Sequence, residues 1–333
     1  MIGGAGYTGG EMIRLLIRHP MVEMRFIHSK SNAGKPVYSA HEDLFGETSL
    51  AFDAEWHGDI DVLFLCLGHG EAKTFLEEAG SSFDGVAIID LSQDFRLKKE
   101  GNVFVYGLPE LNREAIREAK AVANPGCFAT AIQLGLLPLA KAGLLGDVYS
   151  TGITGSTGAG QGLSPTGHFS WRANNIQAYK TLTHQHLSEV GQSLEQLQSG
   201  GAGGAGGVSG AGRASGAGMP AVHFVPWRGD FTRGIFISSQ LRCGKSLEEL
   251  YGLYGEYYRD HPFTHVSRTP ISLKQVVNTN KCLIQLEQTG DQLVIHSALD
   301  NLLKGASGQA VQNMNLLFGL EETIGLQLKP TAF

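Results

Sequence analysis

The chain is poor in the residues that cross-link, charge or anchor a protein. Its 333 residues hold four cysteines, Cys66, Cys127, Cys243 and Cys282, scattered with no CxxC pair and no metal-ligand spacing. Neither a disulfide framework nor a zinc site is indicated, and a reducing, cytoplasmic setting fits. No Lys/Arg-rich run exists and the formal net charge is −6, which removes the electrostatic reason to bind nucleic acid or an anionic membrane. No apolar stretch reaches the roughly 18 residues that span a bilayer. Met1 is followed at once by a glycine loop and not by a charged segment with an apolar core, so export is not expected either. With 42% hydrophobic and 17% charged residues, the remainder is ordinary for a globular protein long enough for two domains.

Glycine, by contrast, is plentiful, and its placement is informative. The chain opens Ile2-Gly3-Gly4-Ala5-Gly6-Tyr7-Thr8-Gly9-Gly10, then runs in a helical pattern from Glu11 to a stop at Pro20. Gly3, Gly6 and Gly9 let the backbone approach a pyrophosphate, whose charge the helix N-terminus, with Tyr7 and Thr8, then holds. Met24–His28, Asp61–Cys66 and Val86–Asp90 read as parallel strands with helices between them, the βαβ order of a dinucleotide-binding domain. The strand due before the glycine turn is reduced to Met1-Ile2, and a truncated first strand is expected to weaken cofactor binding and stability. After the second strand, an NAD site wants a carboxylate for the ribose hydroxyls. This chain offers His28-Ser29-Lys30-Ser31 and Lys35, hydroxyls and cations suited to a 2′-phosphate, so NADP(H) is expected.

In the second half, Val148–Thr154, Gly234–Leu241, Leu273–Val277, Cys282–Glu287 and Leu293–Ser297 alternate like strands of a mixed sheet. Ser199–Gly218 holds ten glycines in twenty residues and reads as a disordered excursion. At the junction of the halves, Ala123-Asn124-Pro125-Gly126-Cys127-Phe128 sets a thiol where Pro and Gly give way to an apolar helical run. A helix N-terminus stabilises a thiolate and makes it nucleophilic near neutrality.

Together these motifs resemble the N-acetyl-γ-glutamyl-phosphate reductases of arginine biosynthesis along nearly the whole chain. The likeness rests on Gly4–Gly9, Asp90-Leu91-Ser92-Gln93-Asp94-Phe95-Arg96, Tyr106-Gly107-Leu108-Pro109-Glu110, Asn124-Pro125-Gly126-Cys127, His184-Gln185-His186 with Glu189, Arg233-Gly234-Ile235, and Asp300 to Asn315. It departs from the family in the short first strand, the glycine-rich insertion, Thr154-Gly155-Ser156-Thr157-Gly158, and Phe128 where tyrosine is common.

The resemblance implies an α/β protein: a Rossmann-type NADP-binding domain (1–126, completed by a C-terminal helix 308–333) and an α+β catalytic and oligomerisation domain with a mixed sheet (127–307). It implies a homo-oligomer, dimer or tetramer, acting on a small-molecule acyl phosphate with no metal. Cys127 would displace phosphate to form a thioester, which NADPH reduces to an aldehyde. Of the two histidines, His186 is favoured for proton transfer, His184 for shaping the pocket, and Glu189 for orienting a ring or the substrate. Arg96, at the strand edge past Asp90, is the choice for phosphate. Arg228 and Arg233 are further options for the anionic groups, beside Asn124, while Ser156 and neighbouring glycines offer donors to the thioester oxygen. Asn313 would contact the nicotinamide carboxamide, with Gly158 also on the cofactor. The competing readings are an aspartate-semialdehyde dehydrogenase-like acyl-phosphate reductase and an inactive cofactor-binding homologue.

Overall fold

A computed structural model describes residues 1–198 and 220–331, so the glycine-rich run 199–218 lies outside the described residues. The chain divides into two compact units, Met1–Pro125 with Ala306–Gln327, and Gly126–Gly305 with Leu328–Phe333.

In the first unit the chain runs through helix α1 (Tyr7–Leu16), strand β1 (Val62–Leu65), α2 (Glu71–Ala79), β2 (Ala87–Asp90), β3 (Val105–Tyr106), α3 (Pro109–Arg117) and β4 (Ala121–Ala123). The sheet order is β1-β2-β4-β3, all parallel. Beyond β1 the sheet continues as single bridges: Ile2 pairs with both Leu65 and His28, and His28 pairs with Asp53. Met24–His28 is therefore not the strand its apolar alternation suggests. It is extended chain that joins the sheet through isolated bonds, among them His28 N–H to the Met1 carbonyl (2.9 Å) and Gly4 N–H to the His28 carbonyl (3.1 Å). The cause is the two-residue partner: Met1-Ile2 offers too little backbone to pair with.

Ile2 nonetheless sits where the strand order reverses, with neighbours on both sides, and the loop after such a strand is where open α/β sheets bind ligands. A cavity of about 870 Å³ opens at Met1, lined by Leu16, Met24, Phe26, Val62 and Met314 among others. The Met1 ammonium donates to the Phe26 carbonyl (2.9 Å), and burial brings its pKa down to about 6. Adding a designed stretch of four or five apolar residues ahead of Met1 is expected to raise Tm by roughly 5 °C. It would add apolar side chains and backbone beside Phe26 and Val62, which line the cavity. Differential scanning fluorimetry checks this, and an unchanged Tm counts against it.

Between Pro125 and Gly126 the chain enters the second unit with α4 (Cys127–Lys141), followed by β5 (Val148–Thr154), α5 (Phe169–Arg172), β6 (Gln177–Ala178), α6 (His186–Gln198), β7 (Val222–Arg228), β8 (Ile235–Arg242), α7 (Leu247–Tyr258), β9 (Thr264–Ser267), β10 (Cys282–Thr289) and β11 (Gln292–Leu299). These strands form one mixed sheet, β6-β7-β5-β8-β11-β10-β9, parallel at β5–β7 and β9–β10 and antiparallel elsewhere. Leu273–Val277 is not a strand: Leu273–Gln275 is a 3₁₀ turn, closed by a reciprocal capping box between Ser272 and Gln275. Local side-chain to backbone bonding wins over a short alternating pattern there.

Helix α4 is apolar around its circumference and buried from Phe128 to Ala140. Pro138 lies inside it and has no N–H to give the Leu134 carbonyl. The Tyr258 hydroxyl donates to that carbonyl instead, Tyr254 donates to Gly135 O (2.6 Å) and Ser297 to Ala131 O (2.7 Å). The helix that begins with Cys127 is thus pinned to α7 and β11.

The chain returns to the first unit as a C-terminal helix, Ser307–Leu317, which packs on α1 and α3. It stops well short of residue 333, because Gly319 at φ 65° turns the chain left-handed after its last turn.

Candidate active site

In the first unit, the glycine turn is built for close backbone approach. Gly3 has φ 80°, and a Cβ there would lie 2.4 Å from Cys66 O. A Cβ on Gly9 would meet Gly3 O at 2.6 Å and Gly4 Cα at 2.7 Å, so Gly9 lets α1 pack on the loop. Gly6 is different: its φ is −78° and a Cβ would meet nothing closer than 3.9 Å. The fold itself does not require glycine there. Gly6 is the N-cap of α1 and makes no side-chain cap, leaving the first-turn N–H groups of Tyr7, Thr8 and Gly9 without intrahelical acceptors. That is a cradle a Cβ would fill, and it fits a pyrophosphate.

Gly6→Ala is therefore expected to weaken NADPH binding at least about tenfold with Tm unchanged, whereas Gly9→Ala should lower Tm. Titration by nucleotide fluorescence and a thermal melt separate the two. Equal Tm losses in both variants would remove the distinction.

His41 completes this loop and had no signal in the sequence. Its Nε2 lies 2.8 Å from Gly4 O, its ring occupies the space a Cβ on Gly10 would take (2.5 Å to Nδ1), and burial pushes its pKa down. A neutral ring with Nε2–H donates to that carbonyl.

Past the second bridge, Ser29 is buried, with its N–H on Asp53 O (3.0 Å), while Lys30, Ser31 and Lys35 are exposed. The Asp53 carboxylate is held by the Ile27 N–H (2.9 Å). Asn313, on the C-terminal helix, donates from Nδ2 to Gly107 O (2.9 Å) and Asn124 Oδ1 (3.1 Å), two acceptors that fix the amide's orientation. Its Oδ1 is buried with no partner, as an amide-bearing ligand would require. Asn124 is a cross-brace: its N–H reaches Asp90 O (2.7 Å) and its Nδ2 reaches Ala306 O (3.0 Å). Arg96 is buried, with Nε on Asn124 O and Nη2 on Leu91 O, both 2.9 Å. The guanidinium is thereby locked in place.

In the second unit, Cys127 is the first residue of α4 and partly exposed. Gly126 before it must be glycine, since a Cβ would lie 2.4 Å from His186 Nε2: the imidazole rests on that face of the backbone. The Gly126 N–H donates to Glu189 Oε2 (2.9 Å), and Glu189 Oε1 is 4.0 Å from His186 Nε2. One carboxylate thus holds the turn before Cys127 and lies beside the imidazole. Gly305 brings the 300–305 turn in close, a Cβ there falling 2.9 Å from Cys127 Cβ. The structure gathers Cys127, His186 and Glu189 around Gly126.

His184 sits behind this group. Its ring is 4.6 Å from that of His186 and packs edge-on to Phe128 (5.5 Å), Phe224 (5.7 Å) and Tyr179 (5.8 Å). Burial first, then His186 and Lys180, push its pKa down to about 3, so it is neutral through the working pH range. Its Nδ1 accepts the His186 N–H (3.3 Å). Below pH 6.5 the unfolded chain takes up a proton at residue 184 that the folded chain refuses until about pH 3. This group therefore lowers stability as pH falls below about 6.5 and contributes no slope above it. His184→Phe is expected to shrink the fall in Tm between pH 7.5 and pH 5 by roughly a few degrees. Parallel Tm-versus-pH curves for parent and variant would contradict this.

Two residues expected at the substrate have partners within the fold. Arg233 forms a two-pronged ion pair with Asp300 (Nε and Nη2, each 3.1 Å), and Asp300 also takes the N–H groups of Asn278, Leu302 and Leu303. It braces the turn that carries Gly305. The Ser156 N–H donates to Phe231 O (2.9 Å), so that amide is not available as a thioester-oxygen donor. Gly158 lies in the same 3₁₀ turn (Ser156–Ala159), its Cα face toward Thr154 Oγ1. Arg228 stands over the Tyr179 ring (4.6 Å) with Nη1 on Thr166 Oγ1 (2.9 Å). Among the described residues no cluster of His, Cys, Asp or Glu is shaped to hold a metal ion, and no helix is long and apolar enough to cross a membrane.

Comparison with known proteins gives a consistent picture. The semialdehyde dehydrogenase NAD binding domain matches residues 1–119, and the semialdehyde dehydrogenase dimerisation domain matches residues 127–301. N-acetyl-γ-glutamyl-phosphate reductases from Phocaeicola vulgatus and Bacteroides thetaiotaomicron are 54% and 55% identical over 335 residues, covering 100% of this chain and 98% of each relative. The one from Christiangramia forsetii is 51% identical over 334 residues. Among solved structures, aspartate semialdehyde dehydrogenase II from Vibrio cholerae, complexed with ASA, superposes with a TM-score of 0.70 at 16% identity, covering 96% of this chain and 97% of the other. Aspartate semialdehyde dehydrogenase with NADP from Candida albicans gives 0.70 at 16%, covering 95% and 97%. At that identity the shared feature is the fold.

Proposed function

The chain belongs to the N-acetyl-γ-glutamyl-phosphate reductase family, and from this premise we propose that it reduces N-acetyl-γ-glutamyl phosphate to N-acetyl-glutamate 5-semialdehyde with NADPH, in cytoplasmic arginine biosynthesis, as a homo-oligomer. The observation that carries the chemistry is the gathering of Cys127, His186 and Glu189 on the single backbone position Gly126.

The Cys127 Sγ, deprotonated with His186 as base, attacks the γ-carbonyl carbon. The bond from that carbon to the phosphate oxygen breaks, inorganic phosphate leaves, and a thioester remains on sulfur. NADPH, when bound, supplies the hydride for reduction of that thioester. His186 hands the proton it took from Cys127 to the departing phosphate oxygen. The thiohemiacetal oxyanion that reduction leaves then re-forms its carbonyl, the C–S bond breaks, aldehyde and Cys127 thiolate are released, and the next cycle takes one proton from solvent. Glu189 keeps the Gly126 turn and the imidazole in register, and His184, neutral and enclosed, holds the His186 backbone. Arg96, fixed by two carbonyls, is suited to the leaving phosphate. For the cofactor, Gly3, Gly6 and Gly9 with the first-turn N–H groups of Tyr7 and Thr8 suit the pyrophosphate, Ser29, Lys30 and Lys35 the 2′-phosphate, and Asn313 Oδ1 the carboxamide.

The test runs the reaction backwards. Given phosphate, NADP and N-acetyl-glutamate semialdehyde, the protein should produce NADPH, with NAD at least about tenfold poorer in kcat/KM. Faster turnover of aspartate semialdehyde would instead place it with the aspartate enzymes. No NADPH from either aldehyde would leave it a cofactor-binding homologue.

A further inference from the structure

Two arginines in the second unit, Arg172 and Arg228, lie close enough for their charges to oppose each other and form no ion pair among the described residues. Arg228 ends β7, on the face of that strand that also carries Phe224. The Phe224 ring packs against Phe128 (5.0 Å) and His184 (5.7 Å), so this face looks onto the start of the nucleophile helix. Tyr179 lies between: its ring is 5.8 Å from His184 on one side and 4.6 Å from the Arg228 guanidinium on the other. Arg172, the last residue of α5, donates from Nη2 to Gly229 O (2.9 Å), one residue past Arg228. Its Nε is buried and has no partner.

Neither guanidinium forms an ion pair among the described residues. Their mutual repulsion and burial both disfavour charge on Arg172, whose pKa is pushed down, burial first and Arg228 second. Asp230 attracts Arg172 at longer range, but its Oδ2 is held by the Asn174 N–H (2.6 Å). Two like charges brought together near a nucleophile, with a fork donor left unmet, are unfavourable for the empty protein and complementary to an anion. A carboxylate supplies the planar, two-oxygen acceptor such a pair lacks.

Building on the reductase reading, we infer that Arg172 and Arg228, spaced from the thiol by Tyr179, bind a carboxylate of the substrate remote from the reacting carbon. The carboxylate has two sources, the α-carboxylate of the glutamyl group or one carried on its N-acyl group, and the experiment separates them.

Reverse-direction kinetics would be measured with N-acetyl-glutamate semialdehyde, with 4-acetamidobutanal, which lacks the α-carboxylate, and with N-succinyl-glutamate semialdehyde. The enzymes are the parent, Arg172→Ala, Arg228→Ala and the charge-keeping Arg172→Lys. Loss of either fork should raise KM for the carboxylate-bearing aldehyde roughly 30-fold or more while kcat stays within about threefold. KM for the aldehyde lacking that carboxylate should be unmoved, and Arg172→Lys should fall between parent and alanine. If discrimination between the first two aldehydes collapses, the α-carboxylate is the ligand. If only a preference for the succinyl compound collapses, the acyl carboxylate is. Variants that keep both discriminations, or that slow all aldehydes equally, overturn the inference while leaving the reductase reading intact. A parent inactive on every N-acyl-glutamate semialdehyde overturns the reductase reading itself, and this inference with it.

Discussion

Cys127→Ser should abolish turnover, lowering kcat by about four orders of magnitude or more, while NADPH binding stays within about twofold of the parent. Oxygen replaces sulfur at the same helix start, so packing is preserved and only chemistry changes. A serine hydroxyl is scarcely ionised at neutral pH, and a helix N-terminus cannot close that gap as it can for a thiol. An ester on oxygen is also less electrophilic than a thioester, so both halves of the reaction are impaired. Steady-state assays in both directions, with nucleotide titration alongside, measure the effect. Substantial aldehyde formation by the serine variant would remove the covalent step from the mechanism.

His186→Ala should lower kcat by about a hundredfold or more and flatten the acidic limb of the pH–rate profile. His184→Phe should cost less than about tenfold and leave the limb in place, because a ring neutral down to about pH 3 has no proton to exchange in the working range. The contrast is sharper than either number. Both rings lie in one aromatic cluster, and a purely structural role would make the two variants alike. Alike they should not be: His186 lies against the backbone of the nucleophile's turn, whereas His184 faces Phe128, Tyr179 and Phe224. A His184 variant with the greater loss would exchange the assignments.

Much of this was readable before any coordinates. The thiol at a Pro-Gly junction, the glycine turn and the mixed sheet follow from local rules: helix-end chemistry, the space a missing Cβ leaves, and alternation of period two. What distinguishes the two histidines was not readable, since both are buried and they differ only in the tertiary neighbours each ring meets. The ion pair of Arg233 was not readable, because its partner Asp300 lies 67 residues on and long-range ion pairs leave no local trace. His41, Tyr179 and Arg172 were missed for the same reason: each acts through a contact across the fold, and none sits in a pattern. Met24–His28 differs in the opposite way, having the composition of a strand but only isolated bridges at His28 to the chain on either side.

Tyr258 and Pro138 have a bearing on how the protein ages in use. A helix interrupted by proline is ordinarily a place where chains loosen first, but here the vacated carbonyl is taken by a tyrosine from another helix, and the segment is sealed on all sides. The Cys127 sulfur is therefore mounted at the start of a helix that is buried and tied to its neighbours along its length. Heat inactivation should coincide with the calorimetric transition, with no earlier fading of activity, and a thermostabilised version would gain working lifetime degree for degree.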